Sequence, residues 1–167
     1  MNNKIVYVPL AVDILHSGHL NIISKAKKYG KVVIGLLSDN AVAEYKNIPS
    51  LEYEERYKIV KNLKNVHKII KQDTWDYSKI LNSLKPDYFV HGDDWKKGIQ
   101  KKTRQKVIRL LKKNKGKLIE IPYTKNISSS SIKSDLINHL TPTSRVSILK
   151  RLIDSKKIVR ILESHSP

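Results

Sequence analysis

Ile5-Val6-Tyr7-Val8-Pro9-Leu10-Ala11-Val12-Asp13-Ile14-Leu15-His16-Ser17-Gly18-His19-Leu20 is the stretch on which the reading of this chain turns. It opens with a β-type apolar run over 5–8, passes a proline and a polar turn, then takes up helical spacing through Leu20, Ile23, Ala26 and Lys27. A strand leading into an amphipathic helix is the first half of a βαβ unit. The alternation continues outward, with further β-type segments at 32–37, 68–70, 88–90, 118–121 and 158–162. Between them helical spacing is carried by Ile59, Val60 and Leu63, behind a Ser50 N-cap and the acidic turn of Glu52, Glu54 and Glu55. Ile80, Leu81 and Leu84, then Val107, Ile108, Leu110 and Leu111, repeat it. Strands alternating with helices predict parallel pairing and a three-layer α/β domain. Ligands of such sheets gather outside the carboxyl ends of the strands, so the loops after strands are the segments to weigh.

The chain has 167 residues, which fits one compact domain, and 40% of them are hydrophobic, enough for a core. It contains no cysteine, which excludes a disulfide scaffold, a thiol nucleophile and a thiolate zinc site. The four residues before the first strand are too short for a signal peptide, and no apolar run approaches ~20 residues, so a cytoplasmic location and no membrane partner are expected. The net charge is +18, from 27 Lys and six Arg against 15 acidic residues. Such a field concentrates anions, whether nucleic acid, an acidic membrane or small polyphosphates. The excess of Lys over Arg disfavours a dedicated nucleic-acid reader, and a solvated Lys-rich surface is the plainer alternative. Composition shifts near Leu140-Thr141-Pro142-Thr143, beyond which a basic amphipathic helix (Val146, Leu149, Leu152, Ile153) leads to the last strand-like piece. The expected organisation is a domain over 1–140 and an extension over 141–167.

Three clusters after strands could carry chemistry. His16 and His19 flank Gly18 where a helix begins, so both imidazoles can lie on one side of its first turn and Gly18 lets a ligand approach the backbone. The unpaired N–H groups and dipole of that turn favour an anion, and the two rings can donate to a phosphoryl group in transfer. The alternative is a surface or zinc-binding pair, against which the three-residue spacing and scattered remaining histidines speak. Tyr88-Phe89-Val90-His91-Gly92-Asp93-Asp94-Trp95 ends the fourth strand with paired carboxylates and an aromatic, which could bind magnesium, recognise an amino group or shield a base, or could be a polar turn. Tyr123-Thr124-Lys125-Asn126-Ile127-Ser128-Ser129-Ser130-Ser131-Ile132 opens a helix with four hydroxyls, a second phosphate site unless it is a flexible linker.

Together these features resemble the cytidylyltransferase branch of the HxGH nucleotidyltransferase superfamily, and within it glycerol-3-phosphate cytidylyltransferase-like domains. The matching residues are Asp13-x-x-His16-x-Gly18-His19, Ser38-Asp39, Arg56, Gly92-Asp93-Asp94-Trp95 and Ile127-Ser128-Ser129-Ser130-x-Ile132, in order over about 4–140. The resemblance implies a Rossmann-like fold with a five-stranded parallel sheet and a short C-terminal extension. It implies transfer of CMP from CTP to a small phosphonate or phosphomonoester, with magnesium on the phosphate oxygens rather than in a protein metal site. His16 and His19 would stabilise the pentavalent transition state at the α-phosphate, and Lys46 would neutralise charge on the triphosphate. Pro9, Leu10, Ala11, Gly18, His91, Gly92, Asp94, Trp95, Tyr123, Ile127, Ser128, Ser129 and Ser130 would bind the nucleotide, Asp94 and Trp95 lining the cytosine pocket and the serines holding the leaving phosphates. Asp13 would support the first loop or subunit contacts, and Asp39, Arg56 and Arg104 would face the acceptor. A homodimer with no nucleic-acid partner is also implied.

Two departures stand out. Leu10-Ala11-Val12 replaces the family's Gly-Thr-Phe, and Tyr123 stands where an Arg commonly opens the last motif, a loss for which Arg104, Lys96 or Lys97 could compensate. The tail, through Ile158-Val159-Arg160-Ile161-Leu162-Glu163-Ser164-His165, resembles the opening of a phosphoenolpyruvate mutase domain, without its catalytic machinery. This points to a phosphonate acceptor, 2-hydroxyethylphosphonate or 2-aminoethylphosphonate, in phosphonate biosynthesis, and to a fusion with such a domain. Glycerol 3-phosphate, phosphocholine and phosphoethanolamine are the alternative acceptors, and an RNA-binding module is the rival from another class.

Overall fold

The computed structural model describes residues 3–44, 48–96, 98–124, 127–138, 146 and 150. The chain falls into two compact units, Met1–Ser129 and Ser130–Pro167. The first unit runs β1 (Ile5–Leu10), α1 (Ser17–Lys27), β2 (Lys31–Leu37), α2 (Asp39–Ala43), α3 (Tyr53–Lys61), β3 (Val66–Gln72), α4 (Ser78–Leu84), β4 (Tyr88–Gly92), α5 (Lys101–Lys113) and β5 (Lys117–Ile121). A 3-10 turn, Asp93–Lys96, follows β4, and α6 (Ser129–Asn138) starts at the last residue of the first unit and continues in the second. Of the 141–167 extension only Val146 and Lys150 are described, so the expected strand at 158–162 lies outside the described residues. No described helix is long and apolar enough to cross a membrane.

The five strands form one parallel sheet in the order β3-β2-β1-β4-β5, as the alternating pattern predicts. The period-two alternation of side chains sorts the core into two faces. Val6, Val8 and Leu10 of β1 and Val32, Ile34 and Leu36 of β2 pack against Ile22, Ile23 and Ala26 of α1 and Val60 of α3. Tyr7, Val33 and Phe89 point the other way, against Leu81 of α4 and Val107 and Leu111 of α5. Helices on both faces of one sheet make three layers. Strand order reverses between β1 and β4, so the loops after these two strands flank the crevice where a ligand is expected.

Several local features differ from the sequence reading. β1 continues to Leu10 through Pro9, a residue rare inside sheets because it cannot donate to a ladder. Here β1 pairs with β4 only at Val6 and Tyr7, whereas its pairing with β2 extends to Leu10, so Pro9 lies where one flank is unpaired. β3 is longer than the apolar run at 68–70 because it is an edge strand and exposes His67, Lys68 and Lys71. Leu20, counted with the buried face of α1, is 48% exposed. The start of α3 is Glu52 rather than Ser50. Ser50 donates its amide to Asp13 Oδ1 instead (2.5 Å), and the Tyr53 amide is taken by Asp39 Oδ2 (3.1 Å), a cap supplied from α2.

One contact crosses three strands. The Tyr7 ring on β1 fills the space where Gly35 on β2 would carry a Cβ, and its hydroxyl donates to Gln72 Oε1 at the end of β3 (2.9 Å). Burial holds that hydroxyl protonated, its pKa pushed well above the ordinary value. Gln72 passes the order on: its amide donates to Thr74 O (2.5 Å), and its carbonyl accepts from Ser38 N (2.9 Å), the residue that caps α2.

Candidate active site

The corner between β1 and α1 is shaped by its own two histidines. His16 is the N-cap of α1, in an extended conformation, and its Nδ1 accepts the Gly18 amide (3.1 Å). His19, three residues on, accepts the His16 amide at Nδ1 (3.4 Å), which completes a reciprocal capping box built from two imidazoles. The ring centroids lie 4.0 Å apart at 39°. A ring that accepts at Nδ1 carries its proton on Nε2, so the caps set both histidines as Nε2–H donors. Gly18 is required by this arrangement, because a Cβ there would stand 2.8 Å from His16 Cε1. The corner is also strained: buried Val12 holds φ at 50°, a left-handed conformation that β-branched residues avoid.

Arg56 holds this corner from behind. It is fully buried, and its guanidinium donates to Ala11 O (2.5 Å), Leu51 O (3.1 Å) and Asp39 Oδ1 (2.6 Å). Arg56 and Asp39 were both expected at the acceptor. In the structure the Arg56 donors serve the protein interior, joining the loop after β1 to α2 and the start of α3. Asp39 keeps a side chain 40% exposed and, with Ser38, Asn40, Tyr53, Lys71 and Asp73, lines a shallow polar cleft of about 180 Å³ at the ends of β2 and β3. Pro9 and Leu10 are buried at the end of β1, and Lys46 lies outside the described residues.

The turn after β4 is organised differently from the expectation that Trp95 lines a base pocket. Trp95 is 1% exposed, with its indole parallel to Phe89 (centroids 5.7 Å) and to His91 (3.9 Å). Its Nε1–H donates to Glu120 Oε1 on β5 (2.8 Å). The ring is therefore enclosed by the protein, and its polar edge is committed to Glu120. Glu120 also takes Arg104 in two parallel bonds of 2.9 Å and has Lys96 at 3.7 Å. The Arg104 guanidinium, helped by the indole N–H and Lys96, holds the Glu120 carboxyl down to about 2. The Arg104 charge, expected to replace the missing Arg at Tyr123, is thus matched by a carboxylate. At the turn itself His91 Nδ1 donates to Gly92 O (2.9 Å), and the half-exposed Asp94 lies 3.8 Å from the same nitrogen. Asp93 Oδ1 accepts the amide of exposed Tyr123 (2.9 Å).

The loop after β5 crosses the end of β4 to reach the first corner. Thr124 accepts from Asn21 of α1 (3.2 Å), and its Cβ lies 3.7 Å from the position a Gly18 Cβ would take. Ser129 Oγ, at the start of α6, donates to Ile14 O (3.2 Å). With the Asp93–Tyr123 bond, all three motif-bearing loops meet at the switch point of the sheet. Ile127 and Ser128 are half-buried in that loop, and Ser130, exposed, belongs to the second unit. Chemically the meeting place offers two Nε2–H imidazoles, a helix N-terminus and serine hydroxyls, a donor set suited to a phosphate-rich ligand, and beside them the half-exposed Asp94 carboxylate, an acceptor for an amino group. The residues the sequence reading missed are Glu120, Gln72, Asn21 and Thr124. Of these only Glu120 left a trace, as a charge inside the apolar run 118–121.

A family model described as Cytidylyltransferase-like matches residues 12–135. Over 129 residues the chain is 30% identical to an ethanolamine-phosphate cytidylyltransferase of Dictyostelium discoideum, covering 76% of this chain and 35% of that protein. It is 29% identical over 127 residues to a glycerol-3-phosphate cytidylyltransferase of Bacillus spizizenii, covering 74% of this chain and 90% of that one. Among solved structures, the lipopolysaccharide core biosynthesis protein of Thermoplasma volcanium superposes with a TM-score of 0.61 at 23% identity, over 74% of this chain and 98% of that chain, a likeness of fold.

Proposed function

From the premise that the chain belongs to the cytidylyltransferase-like family, we propose that it transfers CMP from CTP to a small acceptor carrying a phosphate or phosphonate group. An acceptor oxygen forms a bond to the α-phosphorus while the bond from that phosphorus to the bridging oxygen breaks, and pyrophosphate leaves. The acceptor oxygen is already ionised, so the site needs no strong general base, and catalysis is positioning and charge stabilisation. The observation that supports this most directly is the meeting of the His16–His19 corner, the turn after β4 and the Thr124–Ser129 loop at one end of the sheet. In this reading the two Nε2–H groups meet the α-phosphate oxygens, and Ser128 and Ser129 meet the leaving phosphates. Asp94, rather than the buried Trp95, is the side chain of its turn open to the base.

Among the described residues no three His, Asp or Glu side chains converge as cation ligands. Magnesium would enter this site on the triphosphate, where it would neutralise phosphate charge. Two acceptor classes have support. The tail's resemblance favours a phosphonate, whereas the names of the two relatives favour phosphoethanolamine or glycerol 3-phosphate. The test is pyrophosphate release from CTP with both phosphonates, phosphoethanolamine, phosphocholine and glycerol 3-phosphate, with ATP as the competing nucleotide. Turnover with CTP and one of these acceptors is expected. Equal turnover with ATP, or none with the whole panel, overturns the reading.

A further inference from the structure

Glu120 is the residue of this region that neither motif nor resemblance singles out, and it is the most heavily committed side chain there. Besides the Lys96 ammonium at 3.7 Å, it reaches the turn after β4 through Trp95: one oxygen accepts the indole N–H at 2.8 Å, and the indole lies parallel to His91 at 3.9 Å. His91 in turn donates to Gly92 O and stands 3.8 Å from Asp94 Oδ1. Arg104 fixes the carboxylate with two bonds of 2.9 Å, so the acceptor for the indole is itself immobile. The Asp93 bond to the Tyr123 amide is a second clamp, between the same turn and the loop after β5, but it acts on backbone and leaves the aromatic stack untouched.

We propose that Glu120 is a positioning residue of the nucleotide site, acting through Trp95 to hold His91, Gly92 and Asp94 in the arrangement that receives the base. The proposal rests on the CTP-dependent reading given above. A carboxylate 25 residues from the indole in sequence locks the ring, and the ring face sets the plane of His91. Losing the lock lets the indole and the His91 ring on it shift while the β4–β5 ladder keeps the backbone in place, which weakens capture of the base while the His16–His19 corner, which has its own supports, keeps its chemistry.

The experiment compares wild type with Glu120→Leu, Glu120→Gln and Trp95→Phe, read by steady-state kinetics with CTP and by the NMR shift of the His91 ring proton on Cε1. Glu120→Leu is expected to raise KM for CTP by about tenfold or more with kcat within threefold, and to move the His91 resonance downfield as the shielding indole shifts. Glu120→Gln, whose amide oxygen can still accept from the indole, is expected to recover most of both effects. Trp95→Phe keeps an aromatic face without the N–H and is expected to raise KM as Glu120→Leu does, with no further rise in the double variant. An unchanged KM in folded Glu120→Leu or Trp95→Phe, a loss confined to kcat, or an unmoved His91 resonance overturns the proposal. If Glu120→Leu does not fold, Trp95→Phe alone decides between these outcomes. Absence of CTP turnover in the wild type overturns the underlying reading, and the positioning role with it, which separates that failure from the others.

Discussion

The corner after β1 and the turn after β4 each rest on an ion drawn into the protein, but the ions have opposite signs and opposite kinds of partner. Arg56 spends two of its bonds on backbone carbonyls, Ala11 O and Leu51 O, and one on Asp39. Glu120 takes side chains only: the Trp95 indole, the Arg104 guanidinium and the Lys96 ammonium. A cation gripping carbonyls fixes the path of the chain whatever side chains line it, which suits a corner where strained Val12 must stay put. An anion gripping side chains fixes one aromatic stack and so makes the turn depend on particular residues. The first arrangement tolerates change in the loop it supports; the second does not.

Breaking the first support has the largest expected effect. Arg56→Ala removes a fully buried side chain and the charged donors of two backbone carbonyls, each such bond worth about 1.5–3 kcal/mol, while the 40% exposed Asp39 carboxylate is left to solvent. Urea denaturation should show that loss; an undiminished midpoint would mean that Arg56 does not hold the corner. Next come the rings themselves. His16→Ala or His19→Ala is expected to lower kcat about 10²–10³-fold, as loss of one transition-state donor does, and stability by only about 1 kcal/mol for the cap. A variant that lost stability but kept its rate would place the rings outside the chemistry. Gly18→Ala puts a methyl group 2.8 Å from His16 Cε1 and should displace that ring, lowering the rate about tenfold with little change in CTP affinity.

A last test, which needs acid to show itself, sharpens the other half of the comparison. Glu120 is held at about 2 in the folded chain against an ordinary 4.5. A depressed carboxyl stabilises fully above its unfolded value and stops doing so as pH falls through its folded value. On the order of 2 kcal/mol should therefore disappear between about pH 4.5 and pH 2, after allowance for the side chain's partial exposure. The gap between the unfolding free energies of wild type and Glu120→Gln should be much narrower at pH 2.5 than at pH 7. A gap that stays constant would show that the pair with Arg104 contributes nothing.

What could be foreseen in this molecule follows the same division. Sheet and helices were legible because β1, β2 and β4 carry unbroken apolar runs and the helices a regular stripe. Only 68–70 of β3 was legible because exposed His67 and Lys71 on this edge strand break up the apolar pattern around Ile69 and Ile70. The His16–Gly18–His19 corner was legible because all its parts sit within four residues, where spacing and capping rules apply. Glu120, Trp95 and Arg104 are separated by 25 and 16 residues and meet only once the sheet has formed, so no local rule could pair them. Trp95 was assigned to a ligand because an aromatic after two carboxylates suits a base. The fold instead buries it. Arg56 follows the same logic: a motif arginine suggests an anion, and only burial shows that it serves backbone oxygens.

The Tyr7 ring resting on Gly35 ties two positions on neighbouring strands into a single unit of inheritance. Alanine at 35 collides with the tyrosine hydroxyl, and trimming the hydroxyl alone leaves the rest of the ring in the way. A drifting lineage can therefore leave this pair only by changing both members together, and the segment beyond Gln72 would have to find another anchor in the same step. Random libraries that sample one site at a time should return this glycine almost without exception.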